Sequence, residues 1–262
     1  MLCWKVITFN RREVCKTNKE ILLLGNSRIQ YGINDDSLHN VLNLGLNADN
    51  YFFSYLKLKL MKKYNPQINT IYLGYDKTSV FHYFKSSEDK FHPFYWDLLD
   101  MEDIKFILNE DRACLSSPLH WLKILYPLLS FTEKIDIKEL GIGGYTYLKR
   151  DKLQQAIQNF KQLDEDTEIE QKQILYLDKI IHFCQENNMQ LYFLNMPSYP
   201  ISYNKRNDEK LDSIAITQYP QIEYYDYEFI HLPDSCYGDI YHINYKGANA
   251  FTSLFKKTIL KQ

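Results

Sequence analysis

The sequence predicts an α/β fold built on a mostly parallel sheet of about five strands. Compact apolar runs at residues 21–24 (ILLL) and 70–76 (TIYLGYD) lead into Gly and a polar residue, as strands covered on both faces do. Helical patterns, rather than tight hairpin turns, fall between strand candidates, which is the alternation of βα units. With 262 residues, 45% of them hydrophobic, the chain has enough material for one large core.

Taken in order, the first strand is residues 21–24 and the second is VLNLG, 41–45. A helix follows over 48–64, with Phe52, Tyr55, Leu56 and Leu60 at helical spacing and Lys62-Lys63 at its end, where cations favour a helix C-terminus. Asp49 is the expected N-cap. The third strand is 70–76. Three successive strands ending in Gly plus a polar group mark the crevice beyond the strand ends as a ligand site.

Residues 77–150 are less regular and read as short helices and aromatic loops inserted into a single domain spanning 1–262. Such excursions usually cover the cleft. The Gly141, Gly143, Gly144 cluster follows no strand at phosphate-loop spacing, which excludes a nucleotide loop. Regularity returns with an amphipathic helix over 169–190, a strand at 191–200 and a fifth strand candidate at 221–227. A last helix covers 244–262, with Asn244 as its cap and Phe251, Leu254, Phe255 and Leu260 on its apolar side.

Charge and composition remove several function classes. The net charge is -2, from 31 basic and 33 acidic residues, so no field favours nucleic acid or an acidic membrane. The five cysteines, Cys3, Cys15, Cys114, Cys184 and Cys236, have neither disulfide-framework nor zinc spacing; Cys236 stands out only because it precedes a polar loop. No apolar run reaches the roughly 18 residues that span a bilayer, and the start MLCWKVITFNRR is too quickly charged for a signal peptide. The 22 tyrosines suit core rims or the walls of a polar cleft equally.

Two segments carry chemistry. Gly25-Asn26-Ser27 ends the first strand, and Asp239-Ile240-Tyr241-His242 lies just before the last helix. In a single turn, residues i and i+3 can face one another, so Asp239 can orient His242 while the other ring nitrogen faces a serine. Each segment also has a plain reading: Ser27 as a turn residue, His242 as a helix-start residue bonded to its own backbone, and Asp76 as a helix or turn cap. No His-Glu-x-x-His, paired metal-spaced Cys or dinucleotide fingerprint is present.

Together, the two segments resemble the SGNH (GDSL-like) hydrolase superfamily. Its serine block matches Gly25-Asn26-Ser27, its glycine block matches Gly45 in LNLGLNADN, and its last block matches Asp239-x-x-His242. The stretches GNSRIQYGI and HINYKGANAF are most similar to DltD-like members and those associated with polysaccharide O-acetylation. The resemblance runs from about residue 20 to 260 and is weakest in the middle third.

That resemblance implies a three-layer α/β/α, flavodoxin-like fold and a serine esterase or O-acyltransferase using Ser27, His242 and Asp239. The substrate implied is a small-molecule or polysaccharide acyl ester, preferably acetyl, with a membrane O-acyltransferase as an expected partner and no cofactor or metal. Backbone N–H groups of Ser27 and Gly45 are the expected oxyanion donors, with Arg28 and Asn47 as further support. Asp76 departs from the family, which has Asn there; an ionised Asp accepts hydrogen bonds and repels a developing oxyanion. A noncatalytic carbohydrate-binding or assembly protein on the same fold is therefore the alternative. The family implies an extracytoplasmic or membrane-associated setting, and the start as given a cytoplasmic one.

Overall fold

The computed structural model describes residues 11–81, 93–110, 137–138, 140–161 and 167–261. Five strands form its sheet: β1 (Ile21–Leu24), β2 (Val41–Asn43), β3 (Thr70–Gly74), β4 (Gln190–Asn195) and β5 (Glu223–Asp226). Their order is β2-β1-β3-β4-β5, and every neighbouring pair is parallel. This is the flavodoxin-like order, whose direction of winding reverses between β1 and β3. Each of the five expected strands is present, most of them a few residues shorter than the apolar runs suggest.

Helices cover both faces. In chain order they are α1 (Ser27–Gly32), α2 (Tyr51–Tyr64), α3 (Lys77–Phe81), α4 (Met101–Glu110), α5 (Leu153–Asn159), α6 (Gln171–Glu186), α7 (Lys205–Gln218) and α8 (Tyr245–Thr258). Successive side chains of a strand point to opposite faces, and β1 shows the consequence. Leu22 and Leu24 pack with residues of α2, α6 and α7, whereas Leu23 packs with Ile29 of α1, Leu153 of α5 and Phe251 and Phe255 of α8. All three leucines are fully buried, which is why β1 is an unbroken apolar run rather than an alternating one.

The tyrosines serve the same layers. Tyr72 of β3 stacks on Tyr192 of β4 with ring centroids 5.0 Å apart, and Tyr225 of β5 lies 5.7 Å from Tyr192. On the opposite face Tyr75 stacks on Phe193 at 4.4 Å and donates its hydroxyl to Leu211 O. The Tyr75 ring fills core while its hydroxyl reaches a carbonyl.

Two helix starts test the expected caps. Asn244 caps α8, its side chain accepting from the N–H groups of Lys246 and Gly247. For α2 the cap is Asn50, which accepts from Phe53 N, and not Asp49. The carboxylate of Asp49 instead takes the ammonium of fully buried Lys57 at 2.8 Å. A lysine taken out of water needs a counter-charge, and that demand draws Asp49 away from the helix end.

Helix α7 is not among the elements expected from the sequence; its composition is mostly polar, and Leu211, Ile214 and Ala215 are its apolar residues in the core. Within 77–150, α3, a 3-10 turn at Pro93–Leu98 and α4 are regular, while 143–150 belongs to no helix or strand. Of the five cysteines, Cys3 and Cys114 lie outside the described residues, as do the histidines His82, His92 and His120 and the apolar stretch YPLLSF at 126–131. Among those described, no helix is long and apolar enough to cross a membrane, and no cluster of potential metal ligands occurs.

Candidate active site

Ser27 stands where β1 gives way to α1. Gly25 makes the exit, at a φ of +140° that L side chains rarely adopt. A Cβ there would also lie 2.9 Å from the Ile29 side chain and 3.2 Å from the Gly74 backbone. Asn26 then caps α1 by accepting from Arg28 N at 2.9 Å. As the first residue of that helix, Ser27 carries one of the N–H groups for which no intrahelical carbonyl exists.

The second segment is a tight turn closed by an antiparallel bridge between Tyr237 and Ile243. Gly238 N donates to His242 O at 2.8 Å. Inside the turn, Asp239 Oδ1 accepts from the N–H groups of Tyr241 and His242, both at 2.9 Å, and lies 2.9 Å from His242 Nδ1. Asn244 anchors the far side by donating to Ser235 O and Tyr237 O. The three-residue spacing thus works through a turn that holds His242 Nδ1 on the carboxylate and leaves Nε2 facing away from it.

The fold brings these segments together across a separation of more than two hundred residues. Ser27 Oγ lies 2.8 Å from His242 Nε2. With the ring proton on Nδ1 donated to Asp239, Nε2 is left to accept from the Ser27 hydroxyl. The edge of the Tyr31 ring meets the imidazole, centroids 5.6 Å apart at 75°. Burial by itself would raise the Asp239 pKa. The hydrogen bond and charge of His242, the Tyr241 N–H and Arg150 outweigh it and hold the carboxyl well below the usual range.

Arg150, unnoticed in the sequence, reaches Asp239 from outside the turn, with Nη1 2.6 Å from Oδ2. It ends an extended strap. Along that strap Gly144 N donates to Gly45 O, Thr146 N to Gln30 O, and Leu148 O accepts from Tyr245 N; just beyond it Lys152 N donates to Gly238 O. All three motif regions are therefore tied to one stretch of backbone. No spacing rule connects residue 150 to a turn 89 residues away, so only tertiary structure reveals it.

Asp76 is not among the residues lining the cleft that holds Ser27 and His242. It is buried at the end of β3, where its oxygens accept from Asn26 Nδ2 (2.9 Å to Oδ2), from the Thr78 hydroxyl at 2.5 Å and from Ser79 N at 2.9 Å. The Arg28 guanidinium is 3.9 Å away. Burial pushes the carboxyl up, and Arg28, Thr78, Asn26 and Ser79 together bring it below its ordinary value. Asp76 is thus a cap for α3 and a clamp on the serine turn.

The remaining expected support is distributed unevenly. Arg28 is buried and donates to Met196 O. The N–H of Gly45 is donated to Asn43 Oδ1 at 2.8 Å, so the glycine serves close packing: a Cβ would sit 2.5 Å from Gln30 N. Asn43 also donates to Ile29 O and Ile33 O, and so holds α1 against β2. Asn47 is exposed and lines the cleft together with Ser27 and His242. Cys236 is a buried, free thiol in the 3-10 turn before the Asp239 segment.

That cleft has a volume of about 530 Å³. Asn47, Asn50, Asn204 and Asn207 are among the residues lining it, as are Phe81, Phe160, Tyr203 and Tyr241. Lys77 enters it with its ammonium 2.6 Å from Asp208 and 3.0 Å from Glu228. Burial raises the Asp208 pKa against the opposing effect of Lys77. The site can therefore present a hydroxyl beside a small-molecule cleft lined by neutral polar, charged and aromatic residues.

A protein-family model matches residues 147–262, less than half of the chain. No curated protein matches the sequence. Among solved structures, one from Streptococcus pneumonia described provisionally as a platelet activating factor is similar, with TM-score 0.45 and 12% identity over 97% of this chain and 91% of its own. Another, an acylhydrolase provisionally assigned in Bacteroides fragilis, has TM-score 0.41 and 11% identity over 94% of this chain and 88% of its own.

Proposed function

We propose that this protein is a serine-dependent esterase or O-acyltransferase in which Ser27, His242 and Asp239 act as a triad. The observation carrying this reading is the chain of contacts from Ser27 Oγ to His242 Nε2 at 2.8 Å and from His242 Nδ1 to Asp239 Oδ1 at 2.9 Å. Its order of nucleophile, base and orienting carboxylate is what acyl transfer requires.

In the first step Ser27 Oγ attacks the ester carbonyl carbon while its proton passes to His242 Nε2. Collapse of the tetrahedral intermediate breaks the bond to the alcohol oxygen, which receives that proton. Water or a sugar hydroxyl then attacks the acyl-serine, giving its proton to His242; the acyl–Oγ bond breaks as His242 returns that proton to Ser27 Oγ, releasing the acid or the new ester. The Ser27 N–H and Asn47 are the proposed oxyanion donors, because the Gly45 N–H is committed to Asn43. The preferred substrate is an acetyl ester of a carbohydrate: exposed Asn47 suits a substrate hydroxyl or carbonyl, and the aromatic residues among the cleft's lining suit sugar faces.

The test is labelling with a serine-directed fluorophosphonate, together with turnover of p-nitrophenyl acetate. Wild-type protein is expected to label at Ser27 and to release nitrophenol, and Ser27→Ala to do neither. Absence of both from folded wild-type protein would sink the enzyme reading and leave a noncatalytic binding protein on this fold.

A further inference from the structure

The Asp239 carboxylate has two oxygens in different circumstances. Oδ1 is occupied within its own turn by the N–H groups of Tyr241 and His242 and by the His242 ring. Oδ2 receives Arg150 at 2.6 Å and lies 3.1 Å from His242 Nδ1. The arginine therefore grips the carboxylate from the side its turn leaves open.

We propose that Arg150 is a positioning residue of this site: it holds Asp239 against His242 and sets the pH at which the Ser27–His242 pair becomes competent. This rests on the triad reading above. Two independent features support it. The strap carrying Arg150 is fixed by backbone bonds to Gly45, Gln30, Tyr245 and, through Lys152, to Gly238 of the Asp239 turn. Its Tyr147 also stacks on Tyr245, at the start of α8, with centroids 4.5 Å apart. The guanidinium is thus delivered by a braced segment rather than by a loose surface side chain.

Stability is not what such a pair supplies. The Arg150 side chain is 41% exposed, and exposed ion pairs add little to folding. Charge and orientation are what remain. The groups facing the imidazole are Ser27 and Tyr31 from α1 and Asp239 from its own turn; Arg150, from the strap, faces Asp239. Removing the arginine cation leaves a fuller negative charge on Asp239. That charge favours the protonated ring, so a higher pH is needed to free Nε2.

The experiment follows His242 by NMR as pH is varied, in wild type and in Arg150→Ala, Arg150→Gln and Arg150→Lys, beside the pH dependence of p-nitrophenyl acetate kcat/KM. In the Ala and Gln variants the His242 titration and the acid limb of the rate profile are both expected to move upward. The Lys variant is expected to return both toward wild type, and 1 M NaCl to shrink the displacement. An unmoved His242 titration in Arg150→Ala would overturn the proposal, whatever happens to the rate. Failure of wild type to turn over ester is a different result: it removes the enzyme reading, while the NMR titration still decides whether Arg150 controls the ring.

Discussion

Asn26 and Asp76 meet across the ends of β1 and β3, with Asn26 Nδ2 2.9 Å from Asp76 Oδ2. The contact spans the switch point of the sheet, where open α/β folds hold their ligands. It joins the residue before Ser27 to the residue that stands where the resembled family has an oxyanion asparagine. The carboxylate is needed because Asn26 presents an amide donor and Arg28 a cation to the same buried place.

Asp76→Asn is therefore expected to lower stability rather than restore a better oxyanion site. An amide cannot accept from Asn26, Thr78 and Ser79 as a carboxylate does, and it leaves Arg28 buried without its counter-charge. The cost is about 3 kcal/mol, read as a lower urea midpoint with an unchanged slope. A variant as stable as wild type and faster on ester would show that Asp76 is not a clamp.

Within the proposed triad, Asp239→Asn is expected to lower kcat by about 10⁴-fold, because an amide cannot hold the imidazole in the tautomer that leaves Nε2 open. His242→Ala is expected to abolish fluorophosphonate labelling of Ser27. Burst kinetics and mass spectrometry of the labelled peptide check both. Undiminished labelling in His242→Ala would detach the histidine from the serine.

Gly45→Ala is expected to act on Ser27 through packing. The added Cβ meets the Gln30 backbone at 2.5 Å and the Ile29 side chain at 2.9 Å, so α1 must move away from the loop after β2. Overpacking of this kind costs about 1–3 kcal/mol. The shift is expected to lower kcat more than it raises KM, since α1 begins at the nucleophile. Thermal melting and steady-state kinetics on one preparation test this.

Acid stability is expected to depend on Asp97. It accepts from Arg11 and Lys63, and although burial alone would raise its pKa, these partners bring it down to about 2. With the folded value depressed, its contribution is present above the unfolded value near 4. It is lost as pH falls toward 2. The stability difference between wild type and Asp97→Asn is thus expected to shrink from pH 5 to pH 2. A constant difference across that range would assign Asp97 no linked proton.

Sequence by itself determined the strands, because an unbroken apolar run such as 21–24 is stable only when both faces are covered. It determined the main helix pattern and the α8 cap for similarly local reasons: period, and an Asn at the boundary. It also named Ser27, Asp239 and His242, since a turn places residues three apart within reach. Whether the serine and histidine meet was decided by the order of β1 and β3 and by the packing of α8 against α1. The role of Asp49 depended on a lysine buried eight residues away, and that of Asp76 on a neighbouring strand. Gly45 lost its free N–H to Asn43 for the same kind of reason, and Arg150 reached the site only through the path of the strap. Hydrogen-bond partners among buried polar groups are fixed by which elements come into contact, and that information is nonlocal.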